Sequence, residues 1–548
     1  MESRENATEG DPLKRGEDGA ETGPAPPGTE LKKKGCKEIL GLSKLTHWRT
    51  AVFFLSLFLC LTIVFAFSFI IPCPVRPQYF VTWNRSFSEA ASYDFLAIEH
   101  ASDDKVMDVL FVLKGSEGTQ NKSCAVAGLP SPCVFLSAVD GTDGETLWDS
   151  PLAADLHWAQ CGLERDSGRS WDCLLSHSDQ LTAVDKRKGA VIWQQPHPAD
   201  LHSSGPVLSL PDLDGDKVGD VGLVASDRTQ TRMVLLSGKT GAQIGSTVVL
   251  GFTETVHHLL HRTAEGSHYV LLQNDAGLYG LALWRIAAQA KAGLEAGLKK
   301  DKHLEKSASA ATGLVPIFES DAMREVVRTE EADETSGLLV VTGREVALVE
   351  GKKLQLQWRF NSSSILSQPS CGHFNKDELL DIMVEEDIGN SSKRVAILDG
   401  KSGEVLWEVN LLASPNCPRP ASIHTTNLVS IFMFWGLKAS DSNASVPLAD
   451  ERRSYMLHPL YSKVLLEYDN VMDHIITFKA TLMERGRHAA YILLTGPPSE
   501  GAEGTVVLSK RKLKQDVPVS RVLRIGAGGG SESNEDIKEA FNRLRFSD

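Results

Sequence analysis

The residues of this sequence best suited to chemistry are four aspartates within nine positions. Positions 1, 3, 5 and 9 of the run DLDGDKVGD hold Asp212, Asp214, Asp216 and Asp220, and the apolar run VGLV follows. Carboxylate oxygens at this spacing in a tight loop can converge on one Ca²⁺, with the backbone carbonyl of Val218 completing the shell. Without a cation the four charges would repel one another. The spacing therefore predicts a Ca²⁺ site, and the alternative is a solvated cluster of Asx turns at the surface.

Two weaker copies of this loop occur elsewhere. Residues 100–108 read HASDDKVMD and residues 373–381 read HFNKDELLD, and each copy also precedes an apolar run. Histidine stands at position 1 of both copies, where Ca²⁺ prefers an oxygen ligand. The sequence therefore favours a single metal site, at residues 212–220.

Other motifs that suggest chemistry are incomplete. The runs GKT at 238–240 and GKS at 400–402 resemble the end of a phosphate loop but lack its earlier glycine. His257, His258 and His261 occur without the glutamate of a zinc-protease motif. The sequence contains no G-x-S-x-G nucleophile elbow. We therefore do not predict an enzyme.

A ten-residue hairpin motif, here called the box, indicates which elements carry these loops. Each box has an apolar strand end, a tight turn whose glycine accepts positive φ, and a second strand that usually ends in tryptophan. Its copies are VDGTDGETLW at 139–148, VDKRKGAVIW at 184–193, LSGKTGAQIG at 236–245, VEGKKLQLQW at 349–358 and LDGKSGEVLW at 398–407. Neighbouring copies about 45 to 50 residues apart, with several short strands each, are typical of propeller blades. We therefore predict an all-β propeller of about seven blades.

Two segments depart from this strand pattern. Residues 283–311 are rich in Ala, Lys and Glu at helical spacing, which predicts a helical excursion. Residues 526–530 are glycine-rich and precede a stretch with Ile537, Phe541 and Leu544 on one helical face. The predicted organisation is a propeller over 93–525, then a flexible link and a C-terminal helix over 526–548.

The uncharged run AVFFLSLFLCLTIVFAFSFII at residues 51–71 predicts a transmembrane helix. As a helix it would be about 31 Å long, close to the ~30 Å hydrocarbon core of a bilayer. Its N-terminal flank is the more basic one, through Lys32, Lys33, Lys34, Lys37, Lys44 and Arg49. The positive-inside rule then predicts a disordered cytoplasmic tail over 1–50, a juxtamembrane stalk over 72–92 and an exterior propeller. We expect a single-pass type II protein of the plasma membrane, delivered by the secretory pathway and anchored in its lipid.

The part beyond the anchor carries features of secreted chains. N-glycosylation sequons begin at Asn84, Asn121, Asn361, Asn390 and Asn443. Candidate disulfides are Cys124–Cys133, Cys161–Cys173 and Cys371–Cys417, although spacing alone does not settle connectivity. Cys73 is left over and either joins two chains as a dimer or stays a free thiol. The net charge of −14 belongs to this part, because the tail is neutral, and argues against nucleic acid as a partner.

Several of these motifs resemble known families. The Asp-rich loop with its apolar strand resembles the FG-GAP repeat of integrin-alpha propellers, whose loops bind Ca²⁺. The whole layout resembles the family with sequence similarity 234, through FFLSLFLCL…IPCP at 53–74, PDLDGD at 211–216, MFWGL at 433–437 and RHAAYILLTGP at 487–497. The resemblance implies a type II glycoprotein with an extracellular propeller, no assigned chemistry, and the four aspartates as metal ligands. Lys217 departs from the repeat, which usually has glycine there.

Together these features predict a cell-surface binding, adhesion or receptor module with one Ca²⁺ and an extracellular protein or glycan as its partner. One alternative is an accessory subunit that escorts another membrane protein. The other is a quinoprotein-like enzyme, because the boxes also resemble those of quinoprotein propellers. Tryptophan serves mostly as blade-docking core in such propellers, so this likeness concerns fold rather than catalysis.

Overall fold

The computed structural model describes residues 47–70, 82–116, 123–166, 169–170, 172–178, 180–198, 205–227, 229–320, 322–413, 418–437, 452–470, 474–484, 488–499, 501–526 and 532–547. Most of the predicted tail and residues 72–81 of the predicted stalk therefore lie outside the described residues. The chain divides into two compact units, residues 1–77 and 78–548.

The first unit contains one described helix, α1 (His47–Ile70). Its residues 47–66 have a mean hydropathy of 2.1, and none of the segment is buried. An apolar helix that buries no face against protein differs from the core helix of a globular domain. By length and composition α1 is able to cross a membrane, and it covers the described part of the predicted span 51–71.

The described strands of the second unit form eight antiparallel blades. Blade 1 contains β1 (Trp83–Glu99), β2 (Asp108–Gly115), β3 (Cys133–Val139) and β4 (Thr146–Ala153). Blade 2 contains β5 (Trp158–Gln160), a small hairpin of β6 (Glu164–Asp166) and β7 (Arg169–Ser170), then β8 (Cys173–His177), β9 (Gln180–Val184) and β10 (Val191–Pro196). Blade 3 contains β11 (Leu208–Leu210), β12 (Asp220–Ser226), β13 (Thr231–Leu236) and β14 (Val248–Val249). Blade 4 contains β15 (His257–Arg262), β16 (His268–Asn274), β17 (Gly277–Ala282) and β18 (Val315–Glu319).

The other blades follow in chain order. Blade 5 contains β19 (Met323–Arg328), β20 (Leu338–Thr342), β21 (Glu345–Glu350) and β22 (Gln355–Asn361). Blade 6 contains β23 (Ser370–Gly372), β24 (Asp381–Gly389), β25 (Ser392–Leu398) and β26 (Val405–Leu412). Blade 7 contains β27 (Ala421–His424), β28 (Ser430–Leu437), β29 (Arg452–Leu457) and β30 (Val464–Asn470), with β34 (Arg521–Arg524) as a fifth strand. Blade 8 contains β31 (Ile475–Glu484), β32 (His488–Thr495), β33 (Gly504–Lys512) and the first half of β1.

Strand β1 closes the ring of blades. Its residues 83–90 pair with β33 of blade 8, and its residues 91–99 pair with β2 of blade 1. At this junction the indole N–H of Trp83 donates to the carbonyl of Gly141 at 3.3 Å, and the buried Lys510 ammonium donates to the carbonyl of Thr142 at 3.3 Å. The propeller therefore begins at residue 83, inside the predicted stalk 72–92, because the last blade takes its outer strand from the N-terminal end.

The repeat predicts about seven blades, and the described strands form eight. Only blades 1, 2, 3, 5 and 6 carry a box between their third and fourth strands. Blade 4 has the helical excursion at that place, blade 7 has a 3₁₀ turn (Pro459–Tyr461), and blade 8 takes its fourth strand from β1. A count based on boxes alone cannot see these three blades.

Tryptophans at the ends of the boxes join neighbouring blades. Each buries its ring and donates its indole N–H to a backbone carbonyl of the following blade: Trp148 to Lys186 at 3.0 Å, Trp193 to Gly238 at 2.9 Å, Trp358 to Gly400 at 2.9 Å and Trp407 to Ser462 at 2.7 Å. The box glycine packs on the ring of the preceding tryptophan. A Cβ on Gly189, for example, would lie 2.3 Å from the Trp148 ring. The tryptophans are thus blade-docking residues.

The helical excursion lies between β17 and β18 of blade 4. It contains α2 (Leu283–Ala290), a 3₁₀ turn (Leu294–Gly297) and α3 (Lys302–Ser307). Gly245, which stands where other boxes have tryptophan, faces this insertion: a Cβ there would lie 2.5 Å from the carbonyl oxygen of Ala290. The N–H of Ser246 donates to the same oxygen at 2.9 Å. Glycine replaces tryptophan because the end of α2 fills the docking position.

The C-terminal segment packs against blades 7 and 8. After the short helix α4 (Leu513–Asp516) and strand β34, helix α5 (Asn534–Arg543) begins at the capping residue Ser533. Its predicted apolar face, Ile537, Phe541 and Leu544, is buried in one cluster with residues of β28 and β32. Residues 527–530 of the predicted link lie outside the described residues.

Candidate functional site

The three Asp-rich loops occupy equivalent places in the propeller. Residues 100–108, 212–220 and 373–381 join the first and second strands of blades 1, 3 and 6. In each of these blades the box turn donates a backbone N–H to the aspartate at position 9 of the loop. We call the propeller face formed by these loops and box turns the loop face.

The aspartate at position 9 of each loop ties the loop to its box. Asp220 accepts the N–H of Leu213 at 2.7 Å with one oxygen and that of Gly238, in the box, at 3.2 Å with the other. Asp108 and Asp381 accept backbone N–H groups from their own loop and box in the same way. All three are at most 1% exposed, and burial raises the pKa of each. Position 9 therefore has a structural role in all three loops.

Three of the four predicted ligands come together at the surface of blade 3. Carboxylate oxygens of Asp212, Asp214 and Asp216 lie within 4.8 Å of one another. Asp220 is not in this group, although burial, followed by the charges of Asp214 and Asp212, raises its pKa to about 6. Three converging carboxylates are a donor set that fits a hard cation such as Ca²⁺. The occupancy of this site stays a prediction.

Backbone N–H groups shape this cluster. Asp212 accepts the N–H of Gly215 at 2.7 Å and that of Lys217 at 2.9 Å, and Asp216 accepts that of Val218 at 2.8 Å. Lys217 has a φ of 70°, in the left-handed region where a residue with a Cβ is strained. The departure from glycine at this position thus costs conformational energy, and a coordinating role for the Val218 carbonyl stays a prediction.

The two weaker loops are closed by their histidines. Nδ1 of His100 donates to the carbonyl of Val106 at 3.2 Å, and Nδ1 of His373 donates to the carbonyl of Leu379 at 2.8 Å. Each bond joins position 1 to position 7 of its loop, the two positions that a Ca²⁺ would join in residues 212–220. An imidazole N–H thus bridges positions 1 and 7 of these loops directly.

The predicted glycosylation sites that the structure describes are accessible. Asn84 lies in β1, Asn361 ends β22 and Asn390 lies in the turn between β24 and β25, and all three side chains are exposed. Asn121 and Asn443 lie outside the described residues. Exposure meets the steric requirement for a glycan, whose presence stays a prediction.

Two of the three predicted cysteine pairs are disulfides in the structure. Cys124 is bonded to Cys133, and Cys161 is bonded to Cys173. Cys371 has a free thiol, and burial raises its pKa to about 12, which disfavours the thiolate form. Cys417 and Cys73 lie outside the described residues.

The histidines of β15 bind backbone carbonyls of the neighbouring blades. Nε2 of His258 contacts the carbonyl of Pro206 at 2.5 Å, and burial lowers the pKa of His258 to about 4. Nε2 of the buried His261 contacts the carbonyl of Gly351, in the box of blade 5, at 2.6 Å. In the other blades that carry a box, the carbonyl at this box position accepts a hydrogen bond from the tryptophan of the preceding blade. His261 of blade 4 takes the place of that tryptophan at the Gly351 carbonyl. No sequence signal identified this role, because blade 4 has no box.

A cavity of about 1120 Å³ opens on the loop face, where the first strands of blades 7 and 8 meet the loop of blade 1. Its walls come from loop 100–108, Arg187, residues 422–424 of β27, residues 480–483 of β31 and Ser547. Asp103 and Arg187 form an ion pair of 3.4 Å at its rim, and both side chains are largely exposed. Sequence reasoning missed this cavity, because its residues come from parts of the chain that are far apart.

Comparison with known proteins agrees with this architecture. Residues 83–547 match the family described as the FAM234A/B beta-propeller. The chain belongs to this family. The FAM234A/B match begins at the first residue of β1 and includes α5, so the strand that closes the ring is part of the family's domain. The resemblance to this family and the expectation of an all-β propeller are both confirmed.

Relatives within the FAM234A/B family match almost the whole chain. Protein FAM234A of Bos taurus is 37% identical over 513 residues, and that of Homo sapiens is 35% identical over 512 residues, each covering 92% of both chains. Protein FAM234B of Homo sapiens is 26% identical over 536 residues, covering 93% of this chain and 85% of its own length. Neither name states an activity.

Proposed function

We propose that this chain is a single-pass type II glycoprotein of the cell surface whose propeller binds a partner and has no enzymatic activity. Helix α1 has the length and composition of an anchor, and the basic residues lie on its N-terminal side. Disulfides such as Cys124–Cys133 persist in oxidising compartments, which supports a propeller outside the cytosol. The box tryptophans are buried between blades, so the likeness to quinoprotein propellers concerns the fold and carries no argument for catalysis.

The cavity on the loop face carries the binding proposal. It combines an open volume of about 1120 Å³ with exposed charges of both signs, such as Asp103, Lys105 and Arg187. Loops held on a sheet framework are the usual place for recognition, because the framework positions them at little entropic cost. We infer that an extracellular protein or glycan docks here and that its polar groups compete with the Asp103–Arg187 pair.

A bound Ca²⁺ is the second element of this proposal. The carboxylates of Asp212, Asp214 and Asp216 would hold the ion and remove the repulsion among them, which stiffens the loop face at blade 3. The ion has no chemical step to perform in a binding module. It acts only through the stability and shape of the loop.

The experiment has two parts, both on the full chain in intact cells. Protease added outside the cells should cleave the propeller, and removal of N-glycans should increase its electrophoretic mobility. Surface cross-linking should then capture a partner with the unchanged chain and several-fold less of it with Arg187→Glu. Arg521→Glu, an equally exposed arginine on the outer strand of blade 7, is the matched control and should retain capture.

Two outcomes would contradict the proposal. A propeller protected from external protease and without glycans would place it inside the cell. Equal capture by the Arg187→Glu chain and the unchanged chain would exclude the cavity as the docking site.

A further inference from the structure

The helical excursion of blade 4 differs in charge from the rest of the propeller. Its exposed lysines are Lys291 and, close together between residues 299 and 306, Lys299, Lys300, Lys302 and Lys306, in a chain whose net charge is −14. In the blades that carry a box, the third and fourth strands are joined by a short turn. In blade 4, about thirty residues separate the third strand, β17, from the fourth, β18. Connections within compact domains usually have about 4–6 residues, so this one is unusually long.

The acidic side chains of this segment make internal contacts that do not involve its lysines, and Glu295, for example, accepts the N–H of Gly293 at 2.9 Å. Asp301 is buried as the cap of α3 and accepts the N–H of His303 at 2.9 Å. Glu305 pairs with Arg285 and accepts the indole N–H of Trp284 at 2.9 Å. Within the described part of the chain, none of the four lysines between residues 299 and 306 is in an ion pair. Lys302 and Lys306, four residues apart on α3, even repel one another slightly.

Two lysines of blade 5 extend this surface. The loop 263–267 of blade 4 contacts both regions: Ser267 donates its hydroxyl to the carbonyl of Lys299 at 2.9 Å, and the N–H of Ala264 donates to the carbonyl of Lys352 at 3.2 Å. Lys352 and Lys353 are exposed in the box of blade 5 and are also without an ion pair. We call the six residues Lys299, Lys300, Lys302, Lys306, Lys352 and Lys353 the lysine patch.

The packing of this region keeps the patch in place. Helix α2 buries Leu283, Ile286, Ala287 and Ala290 against blades 3 and 4. The ammonium of Lys300 lies 3.8 Å from the centre of the Trp284 ring, a cation–π contact that orients the side chain. Unpaired lysines held on an ordered framework pay less entropy when they bind an anion.

We propose that the lysine patch binds a sulfated glycosaminoglycan at the cell surface. A chain of closely spaced anionic groups matches these six unpaired ammonium groups by charge, and Glu265 is the one exposed carboxylate in the loop 263–267 between them. Anionic lipids belong mainly to the cytoplasmic leaflet, which an exterior propeller does not face, and between residues 257 and 355 the described chain exposes no large hydrophobic side chain that could insert into a bilayer. A folded acidic protein fits less well, because protein interfaces usually need apolar or aromatic anchors and this stretch exposes no large hydrophobic side chain. This inference rests on the proposed extracellular location of the propeller.

The test uses the full chain in neutral detergent micelles and immobilised heparin as the sulfated probe. At about 0.15 M salt, the variant with Lys299, Lys300, Lys302 and Lys306 all changed to Gln should bind at least tenfold more weakly than the unchanged chain. The slope of log affinity against log salt should fall by about 3, because about 0.7 counterion is released per contact on a single-stranded polyanion. The matched control changes the exposed Lys188, Lys239, Lys376 and Lys401 to Gln and should bind as the unchanged chain does.

Four results would overturn the inference. The unchanged chain does not bind heparin at this salt, or the control variant loses as much heparin affinity as the patch variant. Alternatively, polyglutamate competes as well as heparin does, or the patch binds phosphatidylserine vesicles more tightly than heparin. The melting temperature of each variant, expected to be unchanged because the lysines are exposed, shows that a loss is not unfolding. If heparin binding fails but external protease cleaves the propeller, only this inference is refuted. If the propeller is protected from that protease, the proposed function is refuted.

Discussion

The structural role of the aspartate at position 9 is open to a direct test in blade 6. Asp381 is fully buried and accepts the N–H groups of Phe374 at 2.7 Å, Asn375 at 3.0 Å and Gly400 at 3.1 Å. In Asp381→Asn the amide oxygen can keep the first two bonds, and the amide NH₂ then faces the N–H of Gly400. Two donors meet, so the Gly400 N–H is left buried without an acceptor.

The magnitude follows from that lost acceptor. A buried unsatisfied N–H costs about 1–3 kcal/mol, and about 1.4 kcal/mol corresponds to a factor of ten. We expect Asp381→Asn to speed amide hydrogen exchange at Gly400 roughly ten- to hundredfold, in the presence of either Ca²⁺ or a chelator. The control is Asp377→Asn, an exposed residue of the same loop, which should leave Gly400 unchanged.

Two results would refute this reasoning. Unchanged exchange at Gly400 in Asp381→Asn would show that the carboxylate does not hold the box. Faster exchange in the unchanged chain on removal of Ca²⁺ would show that an ion, rather than the side chains, closes this loop.

Three further predictions concern other parts of the propeller. Ca²⁺ at about a hundred times its Kd should stabilise the chain by about 2.7 kcal/mol, which raises the melting temperature. Asp216→Ala should abolish that gain, and an equal gain in the variant would exclude the site. Burial lowers the pKa of His458 from 6.5 to about 4, so the unfolded chain binds the proton and stability falls by about 3 kcal/mol as pH drops from 6.5 to 4. His458→Gln should remove that part of the pH dependence in urea unfolding at pH 7 and 4.5, and an unchanged dependence would contradict this assignment. Gly245→Trp, which restores the box consensus, should destabilise the chain by about 1–3 kcal/mol in the same assay because it collides with Ala290, and a stabilised variant would contradict the packing described here.

Much of the local structure could be predicted from the residues. The run 51–71 is uncharged over a membrane-spanning length, and α1 forms there with its backbone hydrogen bonds inside the segment, which is what a bilayer would require. Four of the five boxes have a glycine with positive φ in the turn, four end in a buried tryptophan, and residues 534–543 form the expected amphipathic helix. These features depend on contacts within a few residues, which spacing and residue type report directly.

The sequence by itself therefore determined an anchor-like helix, a repeat-built β-propeller and a candidate cation loop on blade 3. Only the tertiary structure decided the eight-blade ring, because its closing strand comes from residue 83 onward and pairs with β33. It also turned the position-9 aspartates toward box glycines and placed Gly245 and His261 where blade 4 lacks a docking tryptophan. These features join residues tens to hundreds of positions apart, and residue spacing carries no information about such partners.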